Sequence, residues 1–239
     1  MELELKSAKI HYVQYGKGKD ILLLHGWGQN IEMMKPIGDA FASQYRITIL
    51  DFPGFGESKE PMNAWTIEDY AQLIEEMVDK LKIKKPIIMG HSFGGRVAIC
   101  YSAYHEIEKL VLFASPCFKV YNSDNLKVKT LKALKKIPGL NQVGEYMKKY
   151  IGSRDYKAAS PNLRKTFVNV VNEDLGKCAR QIEEPTLIIW GEDDQEVTYE
   201  EEKMIEEAMP DAALITLRGT HYAYLENLQQ VIQILKSFL

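Results

Sequence analysis

The chain has 239 residues, 46% of them hydrophobic and 26% charged, which is enough for one large domain with room for an insertion. Its net charge of −3 gives no sign of a nucleic-acid partner. Three cysteines, Cys100, Cys117 and Cys178, are too few and too scattered for a disulfide framework or a metal site. They read as reduced, mostly buried thiols of a cytoplasmic protein, and no cofactor or metal is expected.

The N-terminal stretch "MELELKSAKIHYVQYG" carries acids and alternates apolar with polar residues, so it reads as a strand pair and not as a signal peptide. No apolar run approaches the roughly 18 residues that a membrane span needs. Next come "DILLLHG" (20–26) and "RITILDF" (46–52), short and apolar throughout. The stretch "TIEDYAQLIEEMVDKL" (66–81) has helical periodicity, with Thr66 as N-cap and Asp69 in the first turn. "PIIMGHS" (86–92) is again strand-like, "FGGRVAICYSAYH" helical, and "KLVLFAS" (109–115) strand-like. After a break, "PTLIIWG" (185–191), "YEEEKMIEEAMP", "ALITL" (213–217) and "YLENLQQVIQILKSFL" resume the alternation. Continuous apolar runs suit strands buried on both faces of a parallel sheet. Strand–helix alternation of this kind predicts an α/β domain with a mostly parallel, doubly wound sheet.

The break spans residues 117–180. It has helical patches, no convincing strand, and flanks that look like strands of one sheet. It reads as a helical insertion over one end of the sheet, with residues 1–116 and 181–239 forming the core domain. It holds 14 Lys and Arg against 5 Asp and Glu, a net +9 that leaves −12 on the remainder.

The residues that carry chemistry sit at predicted strand ends. Gly90-His91-Ser92-Phe93-Gly94 is a G-x-S-x-G where a strand meets a helix. Such a turn holds its serine in a strained conformation, exposed at a helix N-terminus whose dipole favours developing negative charge. The glycines answer a strand and helix that pass too close for a Cβ. Ser92 is the candidate nucleophile, and a hydroxyl needs a base to take its proton. His11 lies in the N-terminal strand pair. His105 ends the helix after Ser92, about 20 Å away by helix rise. His221, in "RGTHYAYLEN" between the last strand and the last helix, opens on the same side of the sheet as Ser92 and is the candidate base. His25 and His91, next to strand ends on that side, are expected to line the substrate pocket. The acid that would orient the base belongs to "GEDDQEV", where Glu192, Asp193, Asp194 and Glu196 all qualify. A backbone N–H within His25-Gly26-Trp27-Gly28, with that of Phe93, could hold the oxygen of a tetrahedral intermediate.

Taken together, "HGWG", "DFPGFGES" (51–58), "GHSFGG", "WGEDD" and "GTHYAYLEN" resemble, in order and spacing, an α/β-hydrolase with a helical cap. The resemblance covers nearly all of the chain outside 117–180. It implies Asp194 as the acid, three residues after Gly191, and the amides of Trp27 and Phe93 as oxyanion donors. The order Ser92, Asp194, His221 is that family's. One departure is Leu228, where many relatives have proline. A serine nucleophile argues against dehalogenase and epoxide hydrolase chemistry, which use aspartate at that position. "LLLHGWGQN" and "LDFPGFGES" look most like carboxylesterases acting on pimeloyl-carrier-protein methyl ester. Those often have tryptophan where this chain has His91. The expected function is therefore hydrolysis of a carboxylic ester, small or carrier-bound, through an acyl-enzyme. A basic insertion would suit an acidic carrier protein. A C–C hydrolase of ring-cleavage products and a non-enzymatic ligand-binding member stay open beside it.

Overall fold

The computed structural model describes residues 1–118 and 159–239. Its centre is a sheet of eight strands in the order β1-β2-β4-β3-β5-β6-β7-β8. The first two strands, β1 (Glu2–Glu4) and β2 (Lys9–Gly16), pair antiparallel, and β2 pairs antiparallel with β4 (Tyr45–Leu50). From β4 onward every pairing is parallel: β3 (Lys19–Leu24), β5 (Ile87–His91), β6 (Lys109–Phe113), β7 (Thr186–Gly191) and β8 (Ala212–Leu217). The fold is the mostly parallel α/β sheet that the apolar runs predict.

Burial on both faces explains those runs. In β3, Ile21 and Leu23 belong to one apolar layer, with Ile47, Met89 and Val111. Leu22 and Leu24 belong to the other, with Phe52, Tyr70 and Phe93. Alternate side chains point to opposite faces, and each face is covered by helices, so neither set can be polar.

The helices follow from caps and apolar stripes. In α2 (Ile67–Lys80) the Asp69 N–H donates to Thr66 Oγ1 at 3.2 Å and the Thr66 N–H donates to Asp69 Oδ2 at 2.7 Å, a closed capping box. One helix is absent from the sequence reading: α1 (Ile31–Phe41). Pro36 lies inside it and removes one hydrogen bond, which hides the pattern. The Asn30 cap and the buried stripe Ile31, Met34, Ile37 and Phe41 hold it in place. After β5 comes α3 (Phe93–Ser102). In the described part of 117–180 lie α4 (Pro161–Asn172) and the short α5 (Gly176–Ala179). Then follow α6 (Tyr199–Ala208), α7 (Ala223–Glu226) and α8 (Leu228–Phe238). The last two read as one helix in sequence. Asn227 separates them, its Nδ2 donating to the carbonyls of Arg218 and Ala223 at 2.6 and 3.0 Å, a side-chain competition that breaks the helical ladder. Among the described residues no helix is long and apolar enough to cross a membrane.

Candidate functional site

β5 ends at His91 and α3 begins at Phe93, so Ser92 alone makes the turn between them. Its φ of 52° and ψ of −111° lie where few L-residues sit. Such strain persists only when surroundings over-determine it. Here the Ser92 N–H donates to the Phe113 carbonyl at 2.9 Å. A Cβ on Gly90 would lie 2.6 Å from the Gly94 carbonyl, and one on Gly94 would lie 2.3 Å from the Leu24 carbonyl oxygen. The two glycines thus let α3 press on β5 and β3 at once. The Ser92 hydroxyl is left half-buried at the helix N-terminus, lining a cavity.

Asp194 sits in the turn after β7, where its N–H donates to the Gly191 carbonyl at 3.0 Å. One carboxylate oxygen accepts the Glu196 and Val197 N–H groups at 2.6 and 3.1 Å. The other accepts from His221 Nδ1 at 2.8 Å. The Asp194 side chain is fully buried, and that of His221 is 11% exposed. The other three acids of the run go elsewhere. Glu192 faces Arg218 at 3.7 Å, Asp193 is exposed, and Glu196 lines the cavity. Because Asp194 holds Nδ1–H, the lone pair of a neutral His221 is on Nε2. His221 lines the same cavity as Ser92.

The third wall comes from the turn after β3. The Gln29 N–H donates to the Gly26 carbonyl at 3.2 Å, and the Gly26 N–H donates to Gln29 Oε1 at 2.9 Å. Gly28, with φ 72°, completes the turn and sets Trp27 over the cavity. The Trp27 ring packs edge-on against Phe55, Phe93 and Phe167. Phe167 and Val170, both from α4, close the apolar side. Trp27 and Phe93 thus line the cavity together with Ser92, one from the turn after β3 and the other from the start of α3.

The expectation that His25 and His91 line the pocket needs correction. Both are fully buried and neither borders the cavity. His25 Nδ1–H donates to the Gly26 carbonyl at 2.7 Å while Nε2 accepts the Phe52 N–H at 3.0 Å. That neutral ring ties the β3 turn to the β4 end, and burial pushes its pKa down to about 4. His91 contacts the His221 main chain instead of a pocket. His105 stacks on Tyr101, and His11 pairs with Asp51 at 2.9 Å.

Two residues that the sequence reading passed over belong here. Arg96, one turn beyond Ser92, is buried and lines the cavity. It donates to the Pro116 carbonyl at 2.8 Å and to the Glu173 carbonyl, joining α3 to chain on both sides of the undescribed residues. A lone charge in the apolar run "GGRVAIC" was the available signal. Glu202 of α6 accepts the Ser115 N–H at 2.7 Å, and burial pushes its carboxyl well above the usual range. No sequence signal separates it from the neighbouring glutamates.

Comparisons with known proteins agree with this architecture. A family model described as the alpha/beta hydrolase fold matches residues 20–142, just over half of the chain. The AB hydrolase superfamily protein YisY of Bacillus subtilis is 25% identical, over 93% of this chain and 92% of that protein. A pimeloyl-[acyl-carrier protein] methyl ester esterase of Aliivibrio fischeri is 23% identical, over 98% of each. An esterase structure from Exiguobacterium antarcticum superposes with a TM-score of 0.79 at 21% identity, over 99% of this chain and 98% of that one. With its parallel sheet, its strand-end serine turn and this match, the chain belongs to the α/β-hydrolase fold family.

Proposed function

We propose that this protein is a serine hydrolase that cleaves a carboxylic ester through an acyl-enzyme. The observation that carries the reading is the meeting of Ser92 and His221 in one cavity, with His221 held by the buried carboxylate of Asp194. In this reading the Ser92 Oγ attacks the ester carbonyl as His221 Nε2 takes its proton. Asp194 fixes the tautomer and stabilises the cation. The Trp27 and Phe93 N–H groups receive the negative oxygen, each such donor being worth about 10²–10³ in rate. The intermediate collapses, His221 returns the proton to the leaving alcohol, and water deprotonated by the same base releases the acid.

The test is covalent. A fluorophosphonate should label wild-type protein once, at Ser92, and esters of graded acyl length should be turned over. No labelling and no turnover across the series would sink the reading.

For the substrate, we propose a methyl ester of a carrier-bound acyl group. The support is the likeness to the Aliivibrio fischeri esterase and the +9 charge of residues 117–180, which we propose form a lid. Lys127, Lys129, Lys132, Lys135 and Lys136 lie outside the described residues. If they steer an acidic carrier, reversing their charge should lower kcat/KM for carrier-bound ester and spare a small neutral ester. The loss should shrink as salt shortens the Debye length from about 10 Å at 0.1 M to about 3 Å at 1 M. Equal losses on both substrates would leave a small-molecule esterase.

A further inference from the structure

The residue before the expected nucleophile has an environment that a spacer would not need. His91 Nε2 lies 3.0 Å from the main-chain carbonyl oxygen of His221, and its Nδ1 lies 3.2 Å from Gln29 Oε1. The His221 ring is 4.8 Å away, Tyr224 4.7 Å and Tyr222 5.4 Å, all tilted against it. Gln29 Oε1 already accepts the Gly26 N–H. One imidazole therefore touches three elements: the turn after β3, the end of β5 and the loop after β8.

The proton on this ring can be placed. A carbonyl oxygen only accepts, so the contact to His221 requires Nε2–H. Burial, with His221 close by and His25 behind, pushes the His91 pKa well below the usual range, so the ring is neutral and carries one N–H. The shorter contact goes to the His221 carbonyl oxygen, while Gln29 Oε1 is already engaged by the Gly26 N–H. Nε2–H is the proton that is present. The titratable groups around the ring are His221, His25, Tyr222 and Tyr224.

We propose that His91 is a positioning residue for the base. Its Nε2–H grips the His221 backbone and registers the base loop against the nucleophile turn, one residue from Ser92. The proposal rests on the serine-hydrolase reading for its kinetic consequence, but the contact itself is independent of substrate. Asp194 fixes the His221 ring at Nδ1 and leaves the backbone of its loop to be held. The loop is also tied within its own stretch of chain by the Thr220 bonds to Glu226 and the Asn227 bond to the Arg218 carbonyl, and to the turn after β7 by the Asp193 bond to the Gly219 carbonyl. His91 ties the loop to the end of β5 itself, at the main chain of the base residue. A misplacement of about 1 Å at a reacting group can cost 10²-fold in rate, so a single hydrogen bond here has a large kinetic lever.

The test uses two amides of different reach. A glutamine at 91 carries its amide nitrogen near the place of Nε2, whereas an asparagine carries it near the place of Nδ1. His91→Gln should keep kcat within about threefold of wild type. His91→Asn should lose roughly 10–100-fold in kcat with KM little changed. A second readout needs no substrate. The downfield proton resonance of the His221 Nδ1–H in its bond to Asp194 should keep its position in His91→Gln and shift or broaden in His91→Asn. Equal melting temperatures would set aside a folding defect; where His91→Asn melts early, the resonance is read at low temperature. If the two variants match each other in both readouts, the proposal is overturned. If wild type neither labels nor turns over ester, the hydrolase reading fails while the resonance still decides whether His91 positions His221.

Discussion

Among the described residues are two His–Asp pairs of nearly the same geometry. His221 Nδ1 lies 2.8 Å from Asp194 Oδ2, and His11 Nδ1 lies 2.9 Å from Asp51 Oδ2. Both carboxylates are buried and both accept backbone N–H groups. Asp194 takes those of Glu196 and Val197; Asp51 takes those of Ile31 and Glu57. The difference lies at the far nitrogen of each imidazole. His221 opens on the cavity that holds Ser92, while His11 Nε2 faces the exposed Glu57 at 3.7 Å. A His–Asp pair is therefore a general means of fixing a ring and a loop. Chemistry depends on what the second nitrogen meets.

The largest expected effect breaks the active side of that comparison. Ser92→Ala should cut ester turnover by about 10⁴-fold or more. The melting temperature should hold, because the hydroxyl borders a cavity and its loss opens no void in the core. More than a few per cent residual turnover would exclude the acyl-enzyme route. Next comes Asp194→Asn. If its amide oxygen stays on the Glu196 and Val197 N–H groups, its NH₂ faces His221 Nδ1 and pushes the proton to Nε2, the wrong tautomer. A loss of about 10⁴-fold in kcat is expected. Asp193→Asn, on an exposed side chain, should do little. Reversal of these two results would move the acid by one residue.

The same substitution in the other pair sharpens the contrast. Asp51→Asn puts a donor NH₂ against the N–H groups of Ile31 or Glu57, or against His11. It should cost about 1–3 kcal/mol of stability, read by denaturant titration, with kcat within about threefold of wild type. A large kcat loss without destabilisation would mean that the two pairs are not divided as described.

Much of this was legible in the sequence, for physical reasons that differ by element. The six apolar runs became six parallel strands: in β3 to β7 burial on both faces leaves little room for polar residues, while β8, at the sheet edge, is only partly buried. Thr66 and Asp69 announced α2 because a capping box is a local pattern. Ser92 was legible because glycines at 90 and 94 are dictated by backbone contacts below 3 Å. His91 was not, since its partner is a main-chain carbonyl 130 residues away, and a backbone atom leaves no mark on composition. His25 was misplaced for a related reason. A strand end on the active side of a sheet can turn inward, and His25 does so to bond Gly26 and Phe52. Helix α1 was hidden by Pro36, and the break at Asn227 by a side chain that is neither glycine nor proline.

His25 supplies the smallest and last effect, and it contrasts with both pairs. It has no carboxylate partner; its two ring nitrogens bond only to backbone, and burial holds its pKa at about 4. An unfolded histidine titrates near 6.5. Between those values the unfolded chain binds a proton that the folded chain refuses, so stability rises with pH across that window. The contribution is complete above about pH 6.5 and is lost as pH falls toward 4. The gap of about 2.5 pH units corresponds to roughly 3 kcal/mol. His91, buried and shifted the same way, steepens the slope further. His25→Gln cannot protonate. It should start less stable at neutral pH and lose less between pH 6.5 and 4 than wild type does. Denaturant midpoints at half-unit pH steps would read the two slopes. Parallel slopes would mean that His25 already carries its proton in the fold, and the neutral tie between the β3 turn and Phe52 would have to be redrawn.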